Sequence, residues 1–133
     1  MKLIPNDQPK KFSWLDRRKS FEYAFRGIKH VLRSQHNAWL HAVATIVVLL
    51  MGLTFRIANT EWCCVVVCLT VVWTAEALNT AVELLTDLVS PEFHPLAGKC
   101  KDVAAGAVLI AAVGAGLVGS IVFGPYLMKL AIP

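Results

Sequence analysis

The stretch WCCVVVCLTVVWTAEALNTAVELLTDLV, residues 62–89, decides what kind of protein this chain forms. Its first half is apolar, whereas its second half carries four polar side chains, Glu76, Asn79, Glu83 and Asp87. At 100° per residue these side chains fall within an arc of about 80° on one face of a helix. The pattern predicts a membrane-spanning helix with an acidic stripe that continues beyond the lipid.

The overall composition is also that of a membrane protein. Of the 133 residues, 56% are hydrophobic and 17% are charged, and the mean hydropathy is +0.58. Two further apolar stretches begin at Ala38 and Val103, and each is long enough to cross a hydrocarbon core, which takes about 20 residues. We therefore predict an all-α integral membrane protein with three transmembrane helices, at about 38–57, 62–89 and 103–128.

The N-terminal region is basic and has a different pattern. Nine of the 13 Lys and Arg residues precede Ala38, so the positive-inside rule places this region and the loop 91–101 in the cytoplasm. Phe21, Phe25 and Ile28 recur at helical spacing among basic residues, which predicts an amphipathic surface helix; a basic flank that only orients the protein is the alternative. The predicted organisation is a cytoplasmic region, 1–37, and a membrane core, 38–133.

The acidic stripe is the strongest indication of function. A charged side chain near the centre of a membrane helix costs about 3 kcal/mol, and packing three helices does not require one. One alternative is that the span ends near Ala75 and that the stripe is a solvated helix face. For Asn79 the alternative is a hydrogen bond between helices. If the stripe lies in the membrane, function is the better explanation.

Carboxylates and a lysine near the membrane surface suit phosphoryl transfer. Mg²⁺ is usually held by one or two carboxylates together with substrate phosphates, and a lysine neutralises phosphate charge. Loss of water makes a carboxylate such as Glu76 a better proton acceptor for a hydroxyl. Lys101 and Asp102 lie at the predicted start of the third span, where the alternatives are an interfacial cation and a helix N-cap.

Two other classes of function remain open from the residues alone. A small proton-coupled transporter also uses an intramembrane glutamate, and a purely structural membrane scaffold needs no ligand. Neither usual nucleotide-binding motif, G-x-x-x-x-G-K-[ST] or G-x-G-x-x-G, is present.

The segment AEALNTAVELLTDLVSPEFHPLAGKCKDVAAGAVLI, residues 75–110, resembles the signature of the bacterial membrane diacylglycerol kinase and undecaprenol kinase family. The resemblance extends from about Tyr23 to Ile110. It implies an ATP- and Mg²⁺-dependent kinase that phosphorylates a lipid hydroxyl at the cytoplasmic face of the bacterial inner membrane. It also implies a homotrimer of three-span subunits whose active sites are shared between neighbours. The implied partners are ATP, the bilayer, a lipid alcohol and further copies of the chain, with no nucleic acid.

The same resemblance implies roles for individual residues. Glu76 would be the general base and Asn79 would orient the site, while Glu83 would bind the metal and, through it, the nucleotide. The other residues implied in nucleotide binding are Tyr23, Asp87, Glu92, Phe93, His94, Lys101 and Asp102.

The chain departs from the family pattern at one position, and a pair of other residues resembles one branch of the family. Where the family commonly has a glutamate that supplies a second metal contact, this chain has Gln35, whose neutral amide is a weaker metal ligand. The pair Asn37 and His41 resembles the undecaprenol kinase branch more than the diacylglycerol kinase branch.

Small residues recur four apart in the third apolar stretch, as Ala112 with Gly116 and Ala115 with Gly119. This spacing predicts close packing against another helix, and a lipid-binding groove is the alternative.

Overall fold

The chain folds into four helices in a computed structural model that describes residues 13–34 and 36–131. In chain order they are α1 (Trp14–Ser34), α2 (His36–Phe55), α3 (Asn59–Val89) and α4 (Pro95–Ala131). Three of them, α2 from Asn37 onward, α3 and α4, are long and apolar enough to cross a membrane. This confirms the predicted all-α class and the number of apolar spans.

The antiparallel pair of α3 and α4 forms the main body of the chain, and α2 packs against both of these helices. At 1.5 Å per residue, 31-residue α3 is about 46 Å long, which exceeds a hydrocarbon core of about 30 Å. One end of the pair therefore extends past the apolar layer unless the helices tilt strongly. Since α2 begins, α3 ends and α4 begins at the same end, the acidic stripe runs toward the end that also carries α1.

Helix α4 begins eight residues earlier than the sequence predicts. Pro95 occupies its first position, where the missing N–H of proline is no loss and its fixed φ suits a helix. The preceding His94 caps this end, because its Nδ1 accepts a hydrogen bond from the Leu96 N–H at 3.2 Å. Lys101 and Asp102 consequently lie about two turns inside α4, so the alternative of Asp102 as an N-cap is wrong.

The α2–α3 turn ends α2 with a Schellman motif. The Ile57 N–H donates to the Gly52 carbonyl at 3.2 Å, and the Arg56 N–H donates to the Leu53 carbonyl at 3.3 Å. Arg56 adopts φ 50°, the left-handed conformation that this motif requires. Glycine usually fills that position, because a Cβ there crowds the following carbonyl.

Behind this turn lies the apolar core of the chain. Ile57 and Val65 are buried against Val122 and Phe123 of α4. A Cβ on Gly52 would lie 2.7 Å from two ring atoms of Trp62, so only glycine lets the first turn of α3 approach α2 this closely.

The opposite face of each span is apolar and exposed. The exposed side chains include Ile46 and Leu50 of α2, Val67 and Val71 of α3, and Ile110 of α4. A soluble protein of this size rarely exposes so much contiguous apolar surface. The chain is therefore a multi-pass membrane protein.

The conformation of Arg56 leads to a stability prediction. We expect Arg56→Gly to raise the midpoint of thermal unfolding in detergent micelles, because it relieves about 1–2 kcal/mol of crowding by the Cβ. The matched control, Arg56→Ala, removes the charge and keeps the Cβ, so it should bring no gain. Equal midpoints for the two variants would show that the backbone conformation is not the cause.

Candidate active site

The acidic stripe of α3 leads into a partly open cavity of about 260 Å³ between α2, α3 and α4. Glu76, Asn79 and Glu83 line it from α3, and His41 lines it from α2. The wall on α4 is formed by small and apolar residues such as Ala105. Three of the four stripe residues therefore line one space, which we call the inner cavity.

Glu76 is the most deeply buried polar side chain of the described residues, with 1% of its surface exposed. Neither of its carboxylate oxygens has a hydrogen-bond partner among residues 13–34 and 36–131. The nearest basic atom is Nε2 of His41, 3.8 Å from Oε2, which is too long for a hydrogen bond. A buried carboxylate without a donor is costly, and residues 13–34 and 36–131 leave Glu76 in this state.

Asn79 lies one turn beyond Glu76 and is also buried, with 6% of its surface exposed. Its Nδ2 donates to Oε1 of Glu83 at 2.9 Å, a contact within α3. In the described part of the chain its Oδ1 has no donor. Asn79 lines the inner cavity, and its amide bonds within α3 instead of joining two helices of the described chain.

His41 is a site residue that sequence reasoning did not select. Its ring meets the Trp73 ring edge to face, with centroids 6.3 Å apart. Trp73 Nε1 donates to Thr45 Oγ1 at 3.1 Å, and that hydroxyl donates to the His41 carbonyl at 2.7 Å. Trp73 therefore packs against the imidazole beside Glu76 and is joined to α2 through Thr45. The sequence feature that could have indicated His41 is a single histidine in an apolar stretch, one turn after Asn37. Asn37 also lines the cavity.

A second cavity, of about 310 Å³, lies where α3 ends and α4 begins. Asp87 lines it from α3, Lys101 lines it from α4, and Glu92, Phe93 and His94 line it from the connecting loop. We call it the outer cavity. Five residues that the resemblance implies in nucleotide binding therefore lie together.

The Lys101 ammonium donates to the Asp87 carboxylate in the outer cavity. Their side chains are 39% and 64% exposed, and an ion pair this exposed to solvent is worth only about 0–1 kcal/mol. Lys101 can therefore exchange this carboxylate for a phosphate at little cost.

Two other predicted site residues, Tyr23 and Asp102, line neither cavity. Tyr23 is exposed on α1, where its ring lies 5.2 Å from the Arg26 guanidinium carbon. Asp102 is exposed on α4, and it lines neither cavity. Gln35 lies outside the described residues.

The inner cavity fits a hard divalent cation that also binds phosphate. Within residues 13–34 and 36–131 no three His, Cys, Asp or Glu side chains form a complete metal site. Mg²⁺ does not require one, since it is usually held by one or two carboxylates with waters and phosphates. Glu83 offers a carboxylate, the ligand type that Mg²⁺ prefers, and Asn79 offers an amide oxygen, a weaker neutral ligand.

Comparison with known proteins identifies one family. The family model for prokaryotic diacylglycerol kinase matches residues 22–123. The undecaprenol kinase of Bacillus subtilis is 38% identical over 109 residues, which cover 82% of this chain and 89% of that protein. The diacylglycerol kinase of Haemophilus influenzae is 32% identical over 107 residues, covering 78% and 89%. That of Synechocystis sp. is 33% identical over 114 residues, covering 85% and 65%.

The family match contains every described residue of the two cavities. It begins before α2 and ends in the C-terminal half of α4, so it takes in the acidic stripe, the loop at residues 90–94 and Lys101. The transporter and scaffold alternatives have no such support. The chain belongs to the prokaryotic diacylglycerol kinase family of membrane lipid kinases.

Proposed function

We propose that the chain transfers the γ-phosphoryl group of ATP to the hydroxyl of a membrane lipid, with Mg²⁺, at the cytoplasmic face of the bacterial inner membrane. The observation that carries the proposal is the buried, unpartnered carboxylate of Glu76. It lines the inner cavity and lies on the same face of α3 as Asn79 and Glu83, whose oxygens suit a metal ion. A lipid hydroxyl supplies the donor that this carboxylate lacks.

In this proposal Glu76 is the general base. The lipid hydroxyl donates its proton to a carboxylate oxygen as its own oxygen attacks phosphorus, and the scarcity of water makes the carboxylate a stronger acceptor. His41, 3.8 Å away, restricts where the carboxylate can turn. Asn79 holds Glu83 through its Nδ2 and keeps its Oδ1 directed into the cavity.

The phosphates lie toward the outer cavity. Lys101 releases Asp87 and pairs with phosphate oxygens, which lowers the cost of charge that develops during transfer. Glu83 and the Asn79 amide oxygen would hold Mg²⁺, which when bound neutralises phosphate charge and aligns the attacked group. Glu83 and Asp87 are one turn apart on α3, so a nucleotide in the outer cavity extends its terminal phosphate toward Glu76.

We propose the remaining topology from the distribution of charge. The basic residues of α1 and those at the start of α4 lie at one end of the bundle, which we place in the cytoplasm. Phe21, Phe25 and Ile28 of α1 are exposed, as a helix in the membrane interface requires. A homotrimer, implied by the resemblance, would cover part of the exposed apolar surface and bring Tyr23 of one subunit toward a neighbour.

Among the possible acceptors we propose undecaprenol. The Bacillus subtilis undecaprenol kinase matches this chain at 38% identity, against 33% and 32% for two diacylglycerol kinases. Both residues of the pair that resembles the undecaprenol kinase branch, Asn37 and His41, line the inner cavity beside Glu76.

The role of Glu76 is tested by Glu76→Gln, which keeps the shape of the side chain and removes the base. We expect transfer of radiolabel from ATP to lipid in detergent micelles to fall about 10²–10⁴-fold, the usual contribution of a general base. Glu61→Gln makes the same change at the far end of α3, where Glu61 caps the helix and accepts from Tyr126, and should retain activity. An unchanged rate in Glu76→Gln would rule out Glu76 as the base.

The role of Glu83 is tested by the dependence of rate on Mg²⁺. Glu83→Gln should raise the Mg²⁺ concentration for half-maximal rate about tenfold or more, because an interaction with a charged group is worth about 1.5–3 kcal/mol. Glu76→Gln should lower the rate at every Mg²⁺ concentration without moving this midpoint. The same midpoint in Glu83→Gln and the parent protein would exclude Glu83 as a metal ligand.

The acceptor is tested by offering undecaprenol and diacylglycerol to the same preparation. We expect undecaprenol to have the higher kcat/KM. A higher kcat/KM for diacylglycerol would contradict the choice of acceptor and leave the kinase proposal intact, whereas transfer to neither lipid would contradict the kinase proposal.

A further inference from the structure

A second, apolar space adjoins the inner cavity on the side away from the acidic end of α3. It measures about 260 Å³ and lies between α2, α3 and α4. His41 and Ala112 line both spaces, so the two spaces are adjacent. Along α4 its lining continues through Ala115, Gly116 and Gly119. We call this space the apolar crevice.

The small residues of α4 create this crevice. A Cβ built on Gly116 or Gly119 would meet no atom within 4 Å. Gly52 shows the contrast, because its missing Cβ is what allows Trp62 to approach. Among the described residues no helix packs closely on Gly116 or Gly119, and the two glycines leave open volume between the helices.

The crevice offers almost no hydrogen-bonding group. Its hydroxyl, on Thr45, already donates to the His41 carbonyl and accepts from Trp73. The other lining residues on α2 and α3 include Val48 and Val72. A buried water needs about two to four polar partners, so water is a poor occupant and hydrocarbon is a good one.

The neighbouring carboxylate indicates what kind of hydrocarbon enters. Glu76 is 1% exposed and its oxygens lack donors among the described residues, and His41 lies between it and the crevice. A ligand that donates a hydrogen bond to Glu76 and also fills the apolar crevice has a hydroxyl at one end and a flexible apolar chain at the other. This is the chemistry of a lipid alcohol.

We propose that the apolar crevice holds the segment of the lipid acceptor's hydrocarbon chain that follows its hydroxyl, and that Gly116 and Gly119 set which chains fit. The inference rests on the proposed function and adds a chain-binding subsite to it. At about 260 Å³ the crevice is smaller than the roughly 300–1,000 Å³ of ordinary ligand pockets. It therefore holds part of a chain, and the rest continues into the bilayer.

A helix from another subunit is the competing occupant, and its size argues against it. An α-helix with side chains is about 10–12 Å across, which the space between three helices of one chain does not accommodate. A lipid chain is thinner and bends at each bond.

The test fills the crevice at two depths. Gly116→Leu and Gly119→Leu place the same side chain three residues, about 4.5 Å, apart along α4. Gly114→Leu is the matched control, because Gly114 is exposed on the same helix, has open space around it and does not line the crevice. Gly116→Ala and Gly119→Ala are milder changes for use if the leucine variants fail to fold.

The kinetic readout is kcat/KM for a series of lipid alcohols that differ only in chain length. We expect both crevice variants to lower the ratio for long relative to short chains by about tenfold or more, the usual effect of lost apolar contacts in a pocket. The best chain should be shorter for Gly116→Leu than for Gly119→Leu. Unchanged ratios in both variants, the same change in Gly114→Leu, or an altered oligomeric state by light scattering would overturn the proposal.

A binding readout separates this inference from the kinase proposal. A long-chain alcohol with a photoreactive diazirine in its chain should label Val48 and Val72 in the unmodified protein, and the label there should decrease in Gly119→Leu. Labelling of the crevice without transfer of phosphate to any lipid would support the crevice and reject the kinase proposal. Transfer of phosphate with no label in the crevice would reject the crevice alone.

Discussion

A carboxylate buried among apolar helices is unfavourable unless a hydrogen-bond donor reaches it. The rest of the structure depends on this constraint. Glu76 is 1% exposed and has no donor among the described residues, and an acid near the centre of a membrane helix costs about 3 kcal/mol. Trp73 packs against His41 beside it, and Asn79 donates to Glu83 instead of to Glu76. Such an arrangement is expected where a substrate completes the set of hydrogen bonds.

Along the acidic face of α3, the exposure of the side chains increases from the middle of the helix to its C-terminal end. Glu76 and Asn79 are buried, Glu83 is partly buried, and the Asp87 side chain is 64% exposed. The inner cavity therefore suits an alcohol and a metal, and the outer cavity suits a charged nucleotide. An early start of α4 at Pro95 places Lys101 opposite Asp87, so both residues line the outer cavity.

Much of this arrangement could be predicted from sequence because it depends on one helix. The acidic stripe follows from the period of α3 alone, and the spans follow from apolar length. The start of α4 differs from the predicted one because the apolar stretch begins only at Val103, whereas Pro95 is well suited to the first position of a helix. The role of His41 and the crevice beside Gly116 depend on how α2 and α4 sit against α3. Spacing within one helix cannot distinguish a glycine that allows contact from one that leaves a gap.

The central claim is that the Glu76 carboxylate is reserved for the hydroxyl of a lipid alcohol. Infrared difference spectroscopy measures this directly, with the carboxyl band of Glu76 identified as the one missing from Glu76→Gln. Addition of undecaprenol should shift this band, because the carboxylate gains a hydrogen bond, and addition of the methyl ether of the same lipid, which has no hydroxyl to donate, should not. A band that does not shift with the alcohol, or that shifts equally with the ether, would contradict the account.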